Sequence, residues 1–272
     1  MTNLVPFALK EAAILIACHQ DGPGLERTLA SIRGESPVID VILVDDGAPE
    51  PLSRYAEDPR VMVVRLESNV GLTRALNIGL KVILDSGYRY VFRVDAGDEN
   101  LPGRLQEQFQ FMEEHPEVWL VGSWADFVDS LTGALLFKYQ PPTALNDVNA
   151  LLNRNSCVAH PTWLARTDLF RSVGLYDESF EIAQDYEFLR RVVGKGYVVT
   201  NIPKVLLHYH VDPGSISVLK RRAQLRSRLR IQWLHRKPVA TSKLLGMCVT
   251  LGLLVVPRNF VTAMKQKAGI WQ

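Results

Sequence analysis

The chain has 272 residues, 47% hydrophobic and 22% charged, a composition that buries a core and excludes disordered, collagenous and small disulfide-scaffold classes. Its formal charge of +2 hides a split: 19 basic against 29 acidic side chains as far as Asp212, then 12 basic and no carboxylate side chain from Pro213 onward. Such asymmetry predicts an acidic catalytic or binding domain carrying a basic tail that meets an anionic partner, either nucleic acid or a membrane surface.

The opening MTNLVPFALKEAAILIA has no basic leader region and no small-residue cleavage site, so a secretory signal is not expected. Cys18, Cys157 and Cys248 are too few and too scattered for a disulfide framework or paired zinc motifs, which predicts a reducing, cytoplasmic setting. Apolar, β-branched runs then recur at Ala12 to Ala17, Val38 to Val44, Val61 to Leu66, Tyr90 to Val94 and Val118 to Gly122. Helical spacing falls between them at Gly24 to Arg33, Leu72 to Ser86 and Pro102 to His115, with Pro102 expected in the first turn. This is the βαβ pattern of a mainly parallel sheet covered on both faces. Phe127 to Asn155, with Gly133 and Pro141-Pro142, predicts a hairpin or excursion. Further strands are expected at Val158 to Leu164, Tyr197 to Ile202 and Val205 to Tyr209, and a helix from Asp185 to Val193.

Carboxylates at strand ends are the informative feature. Ligands of open α/β sheets bind outside the carboxyl ends of the strands, and two strands run into acidic turns, one with Asp45 and Asp46, the other with Asp95 and Asp98. A turn aspartate often only caps nearby amides. Two such clusters at equivalent strand ends, in a chain with neither a P-loop nor a GxGxxG turn, point instead to carboxylates gripping a hard divalent cation that neutralises a diphosphate. The turn after the first strand, Cys18-His19-Gln20-Asp21-Gly22-Pro23-Gly24, is not the glycine-rich turn that a dinucleotide-dependent oxidoreductase needs.

Five short motifs stand in order along the chain: Ile14-Leu15-Ile16-Ala17, Val44-Asp45-Asp46-Gly47, Asn69-Val70-Gly71-Leu72 through Ala75-Leu76-Asn77, Arg93-Val94-Asp95-Ala96-Gly97-Asp98, and Ala183-Gln184-Asp185-Tyr186. In this order and spacing, from about Ala12 to Ser217, the chain resembles the family 2 glycosyltransferases of GT-A fold. The resemblance implies an α/β, mainly parallel twisted sheet covered by helices, over residues 1–217. A nucleotide-sugar half would occupy about 1–125 and an acceptor half about 126–217, followed by a basic helical extension over 218–272.

The same resemblance implies a nucleotide-sugar donor near Ala17, Asp45 or Asp46, Asn69, Gly71, Asn77, Arg93 and Asp95. It implies a divalent metal, Mn2+ or Mg2+, on Asp95, with Asp98 and His210 nearby, and an acceptor side at His160, Trp163 and Gln184. Asp185 would be the general base of an inverting hexosyl- or deoxyhexosyltransferase, acting on a lipid-linked saccharide in polysaccharide or O-antigen synthesis. Gly97 stands where a second carboxylate is common, which leaves Asp98 as second ligand or as the cap of the next helix. Read as residues alone, Asp185 also fits a helix N-cap, His160 a buried hydrogen-bonded histidine, and His208 and His210 a pair sharing one strand face. A non-catalytic nucleotide-sugar-binding or membrane scaffold of the same fold is the alternative. The several spanning helices and the Gln-x-x-Arg-Trp element of processive synthases are missing, so one transfer per binding event is expected.

In the tail, Leu219, Leu225, Leu229 and Trp233 recur among Arg221, Arg222, Arg226, Arg228 and Arg230, predicting an amphipathic helix on an anionic membrane surface. Packing of that stripe back on the catalytic domain is the competing expectation. Nucleic acid is disfavoured, since a basic arm without a matching fold or aromatic platform is a poor footprint. Leu244 to Val256 is apolar but shorter than the ~20 residues that cross a bilayer, so a peripheral association with the inner face of the cell membrane is expected.

Overall fold

A computed structural model describes residues 11–35, 39–212, 221–237 and 241–256. Alternation of apolar side chains divides the central strands between two cores. β1 (Ala12–Cys18) sends Ala13, Leu15 and Ala17 into one and Ala12, Ile14 and Ile16 into the other. It pairs in parallel with β2 (Asp40–Asp45) and β4 (Tyr90–Arg93), and β2 pairs in parallel with β3 (Val61–Arg65). One face is covered by α1 (Pro23–Glu35), through Leu25, Leu29 and Ile32, and by α3 (Arg104–Glu114), through Leu105, Phe109 and Met112. The other is covered by α2 (Leu72–Asp85), through Leu76, Leu80 and Ile83.

The acceptor half extends the same sheet. β5 (Glu99–Asn100), β6 (Val118–Asp129), β7 (Leu135–Tyr139), β8 (Leu164–Arg166) and β9 (Val198–Val211) complete the strand order β3-β2-β1-β4-β8-β6-β9-β5, with β7 hairpinned onto β6. The β4-β8, β8-β6 and β9-β5 pairings are antiparallel, while β6 and β9 run parallel. Helices α4 (Leu145–Leu152), α5 (Thr167–Val173) and α6 (Gln184–Gly194) fill in around Trp163, Phe170 and Phe188.

Several expectations are corrected. Val158 to Leu164 is not a strand: His160–Thr162 forms a 3-10 turn, and the strand starts only at Leu164. Pro161 has no N–H for a ladder, and Thr162 turns its hydroxyl back to the Ala159 carbonyl at 2.7 Å. The two strands expected over Tyr197 to Tyr209 are one, and the β6 register jumps from Ser123 opposite Ile202 to Trp124 opposite Val205. The bulge absorbs Pro203, the residue that cannot donate. Pro102 lies ahead of α3, which starts at Arg104 after Gly103, so it is not in the first turn. β6 runs seven residues past Gly122, and the helix over Thr167–Val173 went unforeseen.

Two helices stand beyond the sheet, α7 (Arg221–Leu234) and α8 (Thr241–Val255). Of the predicted stripe, Leu219 lies outside the described residues, Leu225 is buried, Leu229 is half-buried and Trp233 is exposed. The inward face of α7 is made by Leu225, Ile231 and Gln232, so the helix packs back on the catalytic domain. Exposed apolar side chains gather instead on α8, at Leu244, Leu245, Val249, Leu251 and Val255. No described helix is long and apolar enough to cross a membrane.

Candidate active site

A cleft of ≈ 610 Å³ opens at the carboxyl ends of β1 and β2, lined by Ala17, His19, Asp46, the 69–74 segment and Glu178. The adjacent aspartates ending β2 point to different fates. Asp45 is fully buried, accepting hydrogen bonds from the amides of Ala48 (2.8 Å) and Leu52 (3.0 Å) and pairing with Arg65. Burial alone pushes its carboxyl up, but those amides and the guanidinium outweigh it and hold Asp45 below the usual carboxylate range. These three hydrogen bonds make Asp45 a fixed point of the turn. Asp46 lines the cleft and accepts from the amides of Val70 (2.7 Å) and Gly71 (3.1 Å), while Asn69 Oδ1 accepts from the same Gly71 amide at 3.0 Å. Gly47, at φ 63, lets the turn meet the next segment closely, since a Cβ there would lie 2.4 Å from the Ser68 carbonyl carbon.

Asn77 is placed elsewhere: buried on α2, it donates to the Tyr176 carbonyl (2.9 Å) and Glu178 (3.2 Å) and accepts from the Tyr176 amide (3.0 Å). It is a strut that ties the loop carrying Glu178 to the donor half. His19, whose Nδ1 lies 2.9 Å from the Asp46 carbonyl oxygen, was not anticipated. Its position directly after β1, at the carboxyl end where ligands bind, was the available signal.

Beyond β4, buried Arg93 donates to the Val94 carbonyl and to the carboxylate of Asp95, which is one-third exposed. The turn that follows is clasped to α1: Thr28 donates to the Asp98 carbonyl (2.6 Å) and accepts from the Gly97 amide (2.9 Å), and Arg27 donates to the Gly97 carbonyl (2.8 Å). Gly97 has φ 111, a backbone state that a carboxylate-bearing residue would occupy only with strain. Asp98 does not cap α3. It is buried, one oxygen accepting from the His210 amide at 3.0 Å and the other, Oδ2, without a partner. Burial, reinforced by the charge of Asp95, pushes Asp98 well above the usual carboxylate range. His208 Nδ1 and His210 Nε2 do share a strand face, reaching Glu99 at 3.4 and 3.6 Å. Burial, with the Arg27 charge, pushes the His210 imidazole down, and neither ring nitrogen has a hydrogen-bond partner. Among the described residues no cluster of three or more His, Cys, Asp or Glu side chains is arranged to hold a metal ion.

On the acceptor side, His160 is buried, its Nε2 lying 2.9 Å from the Tyr176 hydroxyl. Desolvation and the Arg93 charge hold its imidazole well below the usual value, so the ring is neutral. Trp163 is 1% exposed, its ring against His160, Tyr176 and Phe188 and its indole N–H directed to the Val158 carbonyl at 3.4 Å. The structure places both in the core under the site. Gln184, also buried, is the first residue of α6, after Ala183 in the left-handed region at φ 66. The N-cap is thus Ala183, and Asp185 is the second helical residue, half-buried. Burial raises the Asp185 carboxyl, the Tyr186 and Asp185 amides pull against this, Asp95 raises it further and Arg228 lowers it. The fold therefore brings Asp95, at the end of β4, and Asp185, at the start of α6, close enough for their charges to interact.

A mixed sheet, parallel from β3 through β4, with its cleft and carboxylates at the strand ends has the form of a GT-A transferase domain, and the glycosyl transferase family 2 model matches residues 13–174, so the chain belongs to that family. Among its relatives is the amylovoran biosynthesis glycosyltransferase AmsE of Erwinia amylovora, 33% identical over 204 residues that span 73% of this chain and 74% of that protein. The O-antigen biosynthesis glycosyltransferase WbnJ of Escherichia coli is 24% identical over 73% of this chain and 79% of its own. The crystal structure of S. aureus TarS 1-349 in complex with UDP-GlcNAc matches with a TM-score of 0.66 at 17% identity, over 89% of this chain and 71% of that one, and shares the fold.

Proposed function

We propose that this glycosyltransferase moves one sugar, with inversion, from a nucleotide-sugar donor to a lipid-linked saccharide in surface-polysaccharide or O-antigen synthesis. The observation that carries the reading is the cleft at the carboxyl ends of β1 and β2, lined by Asp46 and the 69–71 segment, with Asp95 following the parallel β4 at the same edge of the sheet. Relatives named for amylovoran and O-antigen biosynthesis, and a structural neighbour holding UDP-GlcNAc, support the substrate classes.

In this reading Asp185 takes the proton from the acceptor hydroxyl as that oxygen bonds to the anomeric carbon. The bond from that carbon to the donor's phosphate oxygen breaks, and the nucleoside diphosphate leaves from the opposite face with the electron pair. The donor residues fit a divalent cation: Asp98 Oδ2 is buried without a partner, His210 Nδ1 has no hydrogen-bond partner, and the Asp95 side chain is one-third exposed. Mg2+ is usually held by one or two carboxylates plus substrate phosphates, so Asp95 and Asp98 suffice where a three-residue cluster is missing. Bound there, the metal would neutralise charge on the departing diphosphate. Transfer from a panel of UDP-, GDP- and dTDP-sugars is expected to require added Mn2+ or Mg2+ and to stop on chelation. Full activity in excess chelator would remove the metal from this scheme.

For the tail we infer attachment to the inner face of the cell membrane through α8, whose exposed Leu244, Leu245, Leu251 and Val255 adjoin a segment with basic side chains and no carboxylate. The chain is expected to float with vesicles containing anionic lipid, less so at high salt, and the double substitution Leu244→Glu and Leu251→Glu should release it. Flotation unchanged by that pair would show that α8 is not the contact.

A further inference from the structure

The hairpin that joins β6 to β7 holds apolar side chains out in solvent. Leu131 is 81% exposed, and Leu135 and Leu136 are 52% and 48% exposed. The turn that presents them is built. Asp129 Oδ1 accepts from the amides of Leu131 (3.0 Å) and Thr132 (2.8 Å) and from the Thr132 hydroxyl (3.0 Å), and the amide of Gly133, at φ 70, donates to the Asp129 carbonyl (2.8 Å). The register slips between Phe127, opposite Phe137, and Val128, opposite Leu135, which leaves Leu136 the extra residue of a bulge, a device that re-aims side chains. Behind the tip, Phe127 stacks at 4.3 Å on Phe137 and at 4.3 Å on Tyr209, bracing the hairpin through β6 to β9. Topology sets where the tip stands. β8 is antiparallel to both β4 and β6, so β6 runs the same way as β4 and β1 and ends at the edge where the cleft opens. At that end Val128 lies opposite His210, whose amide binds Asp98, and the Ser130 amide donates to the Val211 carbonyl at 3.2 Å.

We propose that this tip is a second membrane contact, its leucines entering the boundary between headgroups and acyl chains so that the open edge of the cleft meets the surface where a lipid-linked acceptor lies. The contact stands by itself, and only its consequence for transfer rests on the lipid-linked acceptor. The chemistry of the tip selects a bilayer over a protein. Between Asp129 and Asp147 the only charged side chain is Lys138, which is exposed, in a part of the chain that is otherwise acidic. A tip one loop wide cannot bury the roughly 800 Å² per partner of a stable protein interface, whereas leucines beside a lysine suit an anionic lipid surface. The other apolar face, on α8, is fixed to the same body. At the root of the hairpin the Tyr139 hydroxyl donates to the Ser156 carbonyl (3.4 Å), and Asn153 of the same loop donates to the Ser242 hydroxyl of α8 (3.2 Å). Arg190 of α6 donates both to Asn153 Oδ1 (2.7 Å) and to the His235 carbonyl at the end of α7 (3.1 Å).

Flotation of the full chain with vesicles of phosphatidylglycerol and phosphatidylcholine tests this with Leu131→Ser, Leu135→Ser and Leu136→Ser combined, exposed positions whose change should leave the unfolding midpoint in place. The vesicle partition coefficient is expected to fall at least about tenfold, by the same factor at low and high salt, because apolar burial is not screened. Leu131→Trp should add fluorescence that lipids brominated on the acyl chain quench. Undiminished partitioning of the triple variant, or Leu131→Trp fluorescence that brominated lipid leaves unquenched, would overturn the proposal. Loss of self-association in sedimentation with partitioning unchanged would do so as well, by making the tip a protein contact. If partitioning falls but the acceptor proves to be a water-soluble saccharide, the contact stands and the lipid-linked reading fails.

Discussion

Asp185→Asn is expected to lower kcat for sugar transfer by about 10²–10⁴-fold, the range a positioned general base contributes, while leaving donor binding in place. Asparagine keeps the shape of the side chain and removes the site that accepts the proton. The same substitution has an opposite expected effect on stability. Burial raises the Asp185 carboxyl above its unfolded value, so the folded state holds the proton more tightly. Its contribution to stability is full below the unfolded pKa and is lost as pH rises through the raised folded one. At neutral pH the ionised base therefore weighs against folding, and the asparagine variant should unfold at higher temperature than the parent. Transfer by the parent should fall as pH drops through that raised pKa, an acid limb lying above the usual carboxylate range. Retained transfer in the asparagine variant would assign the base elsewhere.

Trp163→Ala is expected to cost about 3–5 kcal/mol of folding free energy, read as a lower denaturant midpoint at constant slope. The indole is almost fully buried and packs against His160, Tyr176 and Phe188. Its removal opens a cavity directly beneath the loop that Asn77 holds. A direct contact with acceptor predicts something different, a raised acceptor KM in a protein of nearly unchanged stability. The two outcomes separate the core position found for Trp163 from the acceptor-side role that the family resemblance implies.

The donor half was legible because its strands are buried on both faces and read as continuous β-branched runs, with helical spacing between them. The acidic turns after Val44 and Val94 were legible as turns at the carboxyl ends of adjacent strands, where ligands of such sheets bind. Which of Asp45 and Asp46 faces the cleft was not legible. Adjacent residues at a strand end point in different directions, and the decision rests on the Ala48 and Leu52 amides and on Arg65, twenty residues away. The turn at Pro161 and the bulge at Pro203 were hidden because apolar runs show period and not where a ladder loses its donor.

The topology also sets where this enzyme can be recombined with relatives. Match to the family model ends at residue 174, which invites a crossover there to exchange acceptor preference while keeping the donor half. β9 forbids so simple a cut. After α6 it returns alongside β6, pairs Glu99 with His208, and presents the His210 amide to Asp98, so residues late in the chain finish the turn that follows β4. A chimera joined at 174 would confront a foreign β9 with a native β5. Modules that exchange cleanly must carry the 95–100 turn with the strand that closes it, and α7 with the α6 on which it rests.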